Sequence, residues 1–446
     1  MSNKFDYVVL GSGPAAYGLT TALKTSGSAK TALIIDNELF GGTCPNYGCE
    51  PKIFLEGAVR NVLIARQLQG RGIQHPAKID WPTLMATKQA TFAPYPANAQ
   101  AAFQTDYVTT LQGTASFVDA HTVAVNGEHY QGEKIIIATG LKAHQLPITG
   151  SELTHNSNDV LALKTLPQRV TFIGGGYVSM ELATVLNAAG ADVEIIEHSP
   201  RALGPFYDQH VAVVVAQMEA RGIKLHFGQS VDAVRQMTGG LAVSTAEGDT
   251  YHADYVVDAT GRMPNVDSLN LAAAGVSADT QGIIVDDHLQ TNVAGIYAAG
   301  DVVKKAGEVA PKLTPVAQFE GAYLAGDLAK PIAYPVTGTG SFTFPQIAQV
   351  GVAVTTAQTD DRYHLKKMAL APDFAYAGTN DQDAELIGVF DQSNRLVGAS
   401  EVSQTATDDV NQLVSVIALG LTARDFQEKQ IMIFPTLGTK LKDFLA

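Results

Sequence analysis

The chain alternates short apolar runs with small and polar segments, and two stretches repeat the same order of elements. The first begins with Tyr7-Val8-Val9-Leu10, passes through the glycine-rich turn GSGPAA from Gly11 to Ala16, and continues to Lys24 with small and apolar residues at helical spacing. A second strand, Thr31 to Ile35, then ends at Asp36. The later stretch runs from Val170 to Ile173, turns through GGGYVS from Gly174 to Ser179, reads as helix to Ala189, and closes with the strand Asp192 to Ile196 and Glu197. Each unit is strand, tight turn, helix, strand and carboxylate, an internal repeat of a βαβ unit.

Between the units, Tyr107 to Gly140 reads as β-rich with turns, and strands return at Tyr255 to Ala259 and Ile296 to Ala299. A proline-bearing stretch from Pro331 to Tyr334 predicts a linker, and residues 335–446 mix strands and helices without a third glycine turn. The expected fold class is α/β: two Rossmann-like dinucleotide-binding domains plus a C-terminal α+β domain. The expected boundaries are 1–145 with 266–333 for the first domain, 146–265 for the second and 334–446 for the third.

Composition narrows the function. The 446 residues are 46% hydrophobic and 17% charged, a globular balance. A formal net charge of −14 argues against a nucleic-acid or anionic-membrane surface, which recruit basic patches. Met1 to Asp6 is short and polar and lacks the regions of a signal peptide, and no apolar run reaches transmembrane length, so a cytoplasmic protein is expected. The only cysteines, Cys44 and Cys49, are too few for an all-cysteine metal site, and no metal is expected. Cytosolic thiols stay reduced unless catalytic or redox-sensing.

Both glycine turns carry the residues that a dinucleotide needs. Gly11 and Gly174 permit the sharp turn, Gly13 and Gly176 let backbone approach a pyrophosphate, and Ala16 and Ser179 are small enough for the helix to lie on the strand. The helix N-terminus then offers unpaired N–H groups and a positive dipole to phosphate. Asp36 lies 25 residues after Gly11 and Glu197 lies 23 after Gly174, close to the spacing of about 20 for a ribose-binding carboxylate. Glu197 would repel the 2′-phosphate of NADPH and so favours NADH, with the nearby His198 and Arg201 as possible phosphate ligands.

The cysteines sit in GGTCPNYGCEPK, from Gly41 to Lys52. On an ideal helix, residues five apart have Cα atoms roughly 8–9 Å apart, whereas a disulfide needs about 4.4–6.8 Å. A Cys44–Cys49 bond therefore requires a distorted first turn, which Pro45 and Gly48 allow. The other reading is two buried structural thiols.

This segment resembles the signature of the class I pyridine nucleotide–disulfide oxidoreductases, the family of glutathione reductase, dihydrolipoamide dehydrogenase and mercuric reductase. ATG at Ala138–Gly140, TGRMPN at Thr260–Asn265, AAGDV at Ala298–Val302 and LTPVA at Leu313–Ala317 stand in the family's order, so the resemblance covers nearly the whole chain. It implies an FAD enzyme that draws electrons from NAD(P)H, a redox-active disulfide between Cys44 and Cys49, and a homodimer with the third domain at its interface. Cys49 is implied to be the flavin-side thiol and Cys44 the interchange thiol. Lys52, otherwise a solvated helix lysine, is implied to lie near flavin N5 and to pair with Glu181. Tyr177, otherwise a core tyrosine, is implied to cover the nicotinamide. Asp301 is implied to bind the ribityl chain. Gly42, Thr43, Ala115, Thr139, Gly140, Thr314 and Pro315 complete the implied FAD contacts, and Gly261 joins the cofactor set.

One motif departs from the family. Its disulfide reductases end with His-Pro-Thr-x-x-Glu, whose His, held by the Glu, moves protons for the thiols. Here the segment is Phe434-Pro435-Thr436-Leu437-Gly438-Thr439, and the last histidine of the chain is His364. Mercuric reductases also lack this His but use C-terminal cysteines, which are absent here. An acceptor needing less proton management, such as a quinone or metal ion, is expected. The alternatives are a low-molecular-weight disulfide reductase in which a tyrosine or Lys440 replaces the His, and, in a different class, a flavoprotein redox sensor.

Overall fold

A computed structural model describes residues 3–305 and 311–446. The chain forms two compact units: Met1–Lys52 with Ala86–His144 and Gly261–Ala333, and Ile53–Met85 with Gln145–Thr260 and Tyr334–Ala446.

The first unit is built on a seven-stranded sheet. Its parallel part runs Val108–Gln112, Ala32–Asp36, Lys4–Leu10, Glu128–Ile137, Ile296–Ala298, with Tyr7 opposite Ala32 on one side and Lys134 on the other. Val8, Val9, Leu10, Ile34, Ile135 and Ile137 are buried there, which is why these strands read as unbroken apolar runs. Two antiparallel strands, Thr122–Val125 and Ser116–Asp119, extend the sheet as the β-rich segment predicts. Helix Pro14–Thr25 crosses helix Thr314–Ala325 at backbone contact. A Cβ on Gly18 would lie 2.0 Å from the Gln318 carbonyl oxygen, and one on Gly321 1.9 Å from that of Ala15.

The second unit holds a parallel sheet ordered Lys224–Phe227, Asp192–Glu197, Arg169–Ile173, Tyr255–Asp258, and a three-stranded meander spanning 231–253. Its C-terminal part is a five-stranded antiparallel sheet with Leu396–Ser403 at the centre, covered by helix Ala406–Leu419. Residues 53–85 also belong to this unit. Leu55, Val59, Leu63, Trp81 and Met85 pack into the same core as Met180, Leu186 and Val214. Trp81 Nε1 donates to the Leu163 carbonyl at 3.1 Å and Arg66 to that of Ala188 at 2.9 Å.

Candidate functional site

In the first glycine turn, Gly11 has φ +109°, and a Cβ there would lie 2.3 Å from the Ala138 carbonyl oxygen. Glycine is required for both reasons. Gly13 caps helix Pro14–Thr25 without a side-chain hydrogen bond, which leaves the helix N-terminus open to an anion. Ala16 is fully buried. Asp36 ends the second strand, and its carboxylate accepts from the Ser12 N–H at 2.8 Å, the Ser12 hydroxyl at 2.6 Å and the Glu38 N–H at 2.9 Å. Ser12 in turn accepts from the Gly41 N–H at 3.0 Å, which links the turn to the cysteine segment. Gly42, at φ +69°, lies so close to Gly13 that a Cβ on it would be 2.6 Å from the Gly13 Cα.

The same unit holds Thr139, whose buried hydroxyl has no partner, and the adjacent Gly140 at φ +64°. Burial pushes the Asp301 carboxyl above its ordinary value, against the pull of Lys312 and Arg262. Ala115 is buried, Thr314 and Pro315 form the first turn of their helix, and Gly261 has φ +151°. An open helix N-terminus, a carboxylate at a strand end and an orphaned buried hydroxyl fit the phosphates and hydroxyls of FAD.

The second unit repeats the arrangement. Gly174 has φ +100° and a Cβ on it would meet the Ala259 carbonyl oxygen at 2.8 Å, whereas Gly176 faces open space. Ser179 is fully buried with its hydroxyl unpartnered. The Glu197 carboxylate takes the N–H groups of Gly175 and, at 2.7 Å, Ser199, and lies 2.9 Å from His198 Nδ1. Arg201 is turned away to the Phe206 and Gly204 carbonyls, while His198 is exposed. Tyr177, expected as a lid, opens helix Tyr177–Ala189 and is 53% exposed. Glu181 is only 2% exposed and accepts from the Ser341 hydroxyl at 3.1 Å and the Phe342 N–H at 2.7 Å, partners the sequence reading does not name.

The distorted turn between the cysteines is a helix break. Helix Thr43–Tyr47 ends at Gly48, with φ −136° and ψ −123°, and a new helix, Cys49–Gln67, starts at the second cysteine. A Cβ on Gly48 would lie 3.0 Å from the Thr43 carbonyl oxygen and 3.3 Å from the Cys44 Cα, so glycine lets the chain fold back tightly. The adjacent Cys49 and then burial hold the Cys44 thiol far above its ordinary value, and the Thr314 hydroxyl opposes them. Thr314 also stands 3.8 Å from the Cys49 sulfur. The sequence reading places Thr314 with the cofactor and misses this contact.

At the C-terminus, Phe434 is 70% exposed and contacts Phe374 with ring centroids 5.5 Å apart. The Thr439 hydroxyl donates to the Thr436 carbonyl at 2.8 Å. Lys440, the suggested replacement base, is ion-paired with Asp373. Among the described residues no helix is long and apolar enough to cross a membrane, and no group of three or more His, Cys, Asp or Glu is arranged to hold a metal.

Comparison with known proteins agrees with this architecture. The pyridine nucleotide-disulphide oxidoreductase family matches residues 5–321 and its dimerisation domain matches 338–444. A dihydrolipoyl dehydrogenase of Haloferax volcanii is 32% identical, aligned over 97% of this chain and 94% of its own. A glutathione reductase of Burkholderia cepacia is also 32% identical, over 97% of each. A mercuric reductase of Lysinibacillus sphaericus is 30% identical, over 96% of this chain and 79% of its own. The HOCl-induced flavoprotein disulfide reductase RclA from Escherichia coli shares the fold, with TM-score 0.85 and 22% identity over 98% of this chain and 99% of that one. The chain belongs to the class I pyridine nucleotide–disulfide oxidoreductases. It is an FAD-dependent, NAD(P)H-dependent flavin disulfide oxidoreductase that carries the family's dimerisation domain.

Proposed function

We propose that this cytoplasmic homodimer passes electrons from NADH through FAD to the Cys44–Cys49 pair, and from there to a quinone, metal ion or similar acceptor. The observation that carries the acceptor is the C-terminal segment: Phe434 and Thr439 stand where a proton-moving pair is expected, and Lys440 is held by Asp373. Disulfide exchange near neutral pH gains roughly 10²–10⁴-fold from a well-placed acid–base group. Neither a phenyl ring nor a hydroxyl already bonded to backbone supplies it.

FAD, when bound, supplies a carrier that takes a hydride from nicotinamide and gives two electrons to a disulfide. In this reading Gly11, Gly13, Ala16, Asp36, Gly42, Thr43, Ala115, Thr139, Gly140, Asp301, Thr314 and Pro315 hold it. Gly174, Gly176, Ser179 and Glu197 serve the nicotinamide dinucleotide, Glu197 selecting against a 2′-phosphate, and Gly261 belongs to the cofactor-binding set. Lys52 supplies positive charge to the flavin with Glu181 as its counter-charge, and Tyr177 shields the nicotinamide. Cys49 is the flavin-side thiol and Cys44 the interchange thiol.

A second reading, reduction of a low-molecular-weight disulfide, is favoured by the relatives named glutathione reductase and dihydrolipoyl dehydrogenase. Steady-state turnover with NADH against quinones, metal ions, glutathione disulfide and lipoamide separates the two. Efficient turnover confined to the disulfides refutes the first.

A further inference from the structure

The C-terminal sheet encloses a polar nest far richer in acids than in bases. Glu401 lies on the central strand Leu396–Ser403 with no exposed surface. Its Oε1 accepts from the Ser403 hydroxyl at 2.6 Å, while its Oε2 is sealed from solvent with no hydrogen-bond partner. Asp409, in the first turn of helix Ala406–Leu419, faces it and accepts from the Tyr376 hydroxyl at 2.9 Å and the Thr405 hydroxyl at 2.7 Å. Asp381 joins from the turn before strand Glu385–Asp391 and accepts from the Gln404 N–H at 2.6 Å, with Asp383 beside it. Among the described residues the one cation facing the nest is Arg60, which donates to the Gln404 carbonyl at 2.7 Å and to no carboxylate, and its Nε has no partner. Three buried carboxyls therefore face one guanidinium.

Three carboxylates cannot all stay ionised in such a place, because desolvation and mutual repulsion both oppose the charged form. The nest is not arranged to take a metal ion, and the unpartnered oxygen has no accessible surface for water. A proton is the neutralising species that needs no room. We infer that Glu401 is un-ionised at neutral pH and donates its proton to Asp409, closing a carboxylic acid–carboxylate pair that joins the central strand to the covering helix and makes this domain more stable as pH falls. Oδ2 of Asp409 already accepts two hydroxyl protons, which marks Asp409 as the acceptor of the pair and Glu401 as the acid. Burial first, then Asp409, pushes the Glu401 carboxyl well above its ordinary range, in agreement with this assignment.

The direction follows from linkage. The folded chain keeps a proton that the unfolded chain releases near pH 4.3, so this stability is fully present below about pH 4.3 and is lost as pH rises toward the folded value. Asp381, pushed up to about 6 by burial, acts in the same sense but is spent above that pH. The test therefore compares FAD-loaded wild type with Glu401→Gln, a neutral isostere that still donates to Asp409, between pH 6.5 and 8.5. Wild type should lose melting temperature relative to the variant by roughly 1–2 °C per pH unit. Parallel curves overturn the inference. If the variant does not fold, wild type alone decides through its infrared spectrum. The carbonyl stretch of an un-ionised carboxylic acid should persist at pH 7.5, and its absence would likewise overturn the assignment.

Discussion

The Thr314 hydroxyl stands 3.8 Å from the sulfur of Cys49, although 265 residues separate them in sequence. Thr314 opens a twelve-residue helix that has no side-chain cap, so the hydroxyl and the helix dipole both favour negative charge on sulfur. Thr314→Val should raise the pH at which the reduced pair is alkylated by about one unit, the equivalent of losing one hydrogen bond to a charged group. Rates of iodoacetamide modification against pH measure this. An unshifted profile would mean that the hydroxyl plays no part in thiolate stabilisation.

The two cysteines should differ spectroscopically. In the proposed function Cys49 lies beside the flavin, so two-electron reduction of wild type should produce a long-wavelength absorption band, because a thiolate donates into the oxidised ring. Cys49→Ser should abolish the band and Cys44→Ser should keep it. Wild-type spectra from both variants would remove the cysteines from contact with the flavin.

Gly18→Ala tests the helix crossing in the first unit. The new methyl would sit 2.0 Å from the Gln318 carbonyl oxygen, and backbone cannot yield as a flexible side chain can. Overpacking of this kind costs about 1–3 kcal/mol. A lower melting temperature and weaker FAD retention are expected, whereas unchanged values of both would show that the helices separate freely.

In the proposed function, cofactor preference rests on Glu197. NADH should exceed NADPH in kcat/KM, and Glu197→Gln should narrow the gap by roughly tenfold, since about 1.4 kcal/mol of repulsion corresponds to that factor. The paired kcat/KM values decide it. A wild-type preference for NADPH would instead point to the exposed His198 as the phosphate ligand.

The features legible in the sequence are those whose signal is local. A glycine turn, its helix and its carboxylate lie within about two dozen residues, so the φ values at Gly11 and Gly174 follow from the motif. The break at Gly48 is readable for the same reason, from a glycine just before the second cysteine. What escaped depends on contacts distant in sequence. Leu55, Val59 and Leu63 of helix Cys49–Gln67 share a core with Met180 and Leu186, a contact between segments more than a hundred residues apart that no local motif announces. Gly18 and Gly321 look like weak helix formers until the crossing is seen. The acid nest of Glu401, Asp409 and Asp381 carries no motif and arises only when a strand, a helix and a turn converge.

The missing acid–base pair gives the most consequential expectation. The chain resembles glutathione reductases over nearly its whole length, yet Phe434 and Thr439 carry no titratable group, and Lys440 is committed to Asp373, whose carboxyl it holds below the ordinary range. Turnover with glutathione disulfide should therefore fall well below the roughly 10⁴–10⁸ M⁻¹s⁻¹ usual for an enzyme on its own substrate. Phe434→His with Thr439→Glu should raise it at least about tenfold, a fraction of the full general acid–base contribution. The gain should follow a histidine-like pH profile and leave quinone reduction unchanged. Lys440→Met should leave the wild-type rate with either acceptor unaltered, because a lysine already held in an ion pair is not the base. Wild-type kcat/KM for glutathione disulfide is the deciding value. If it reaches the usual range, another residue moves the protons and the acceptor is a disulfide after all.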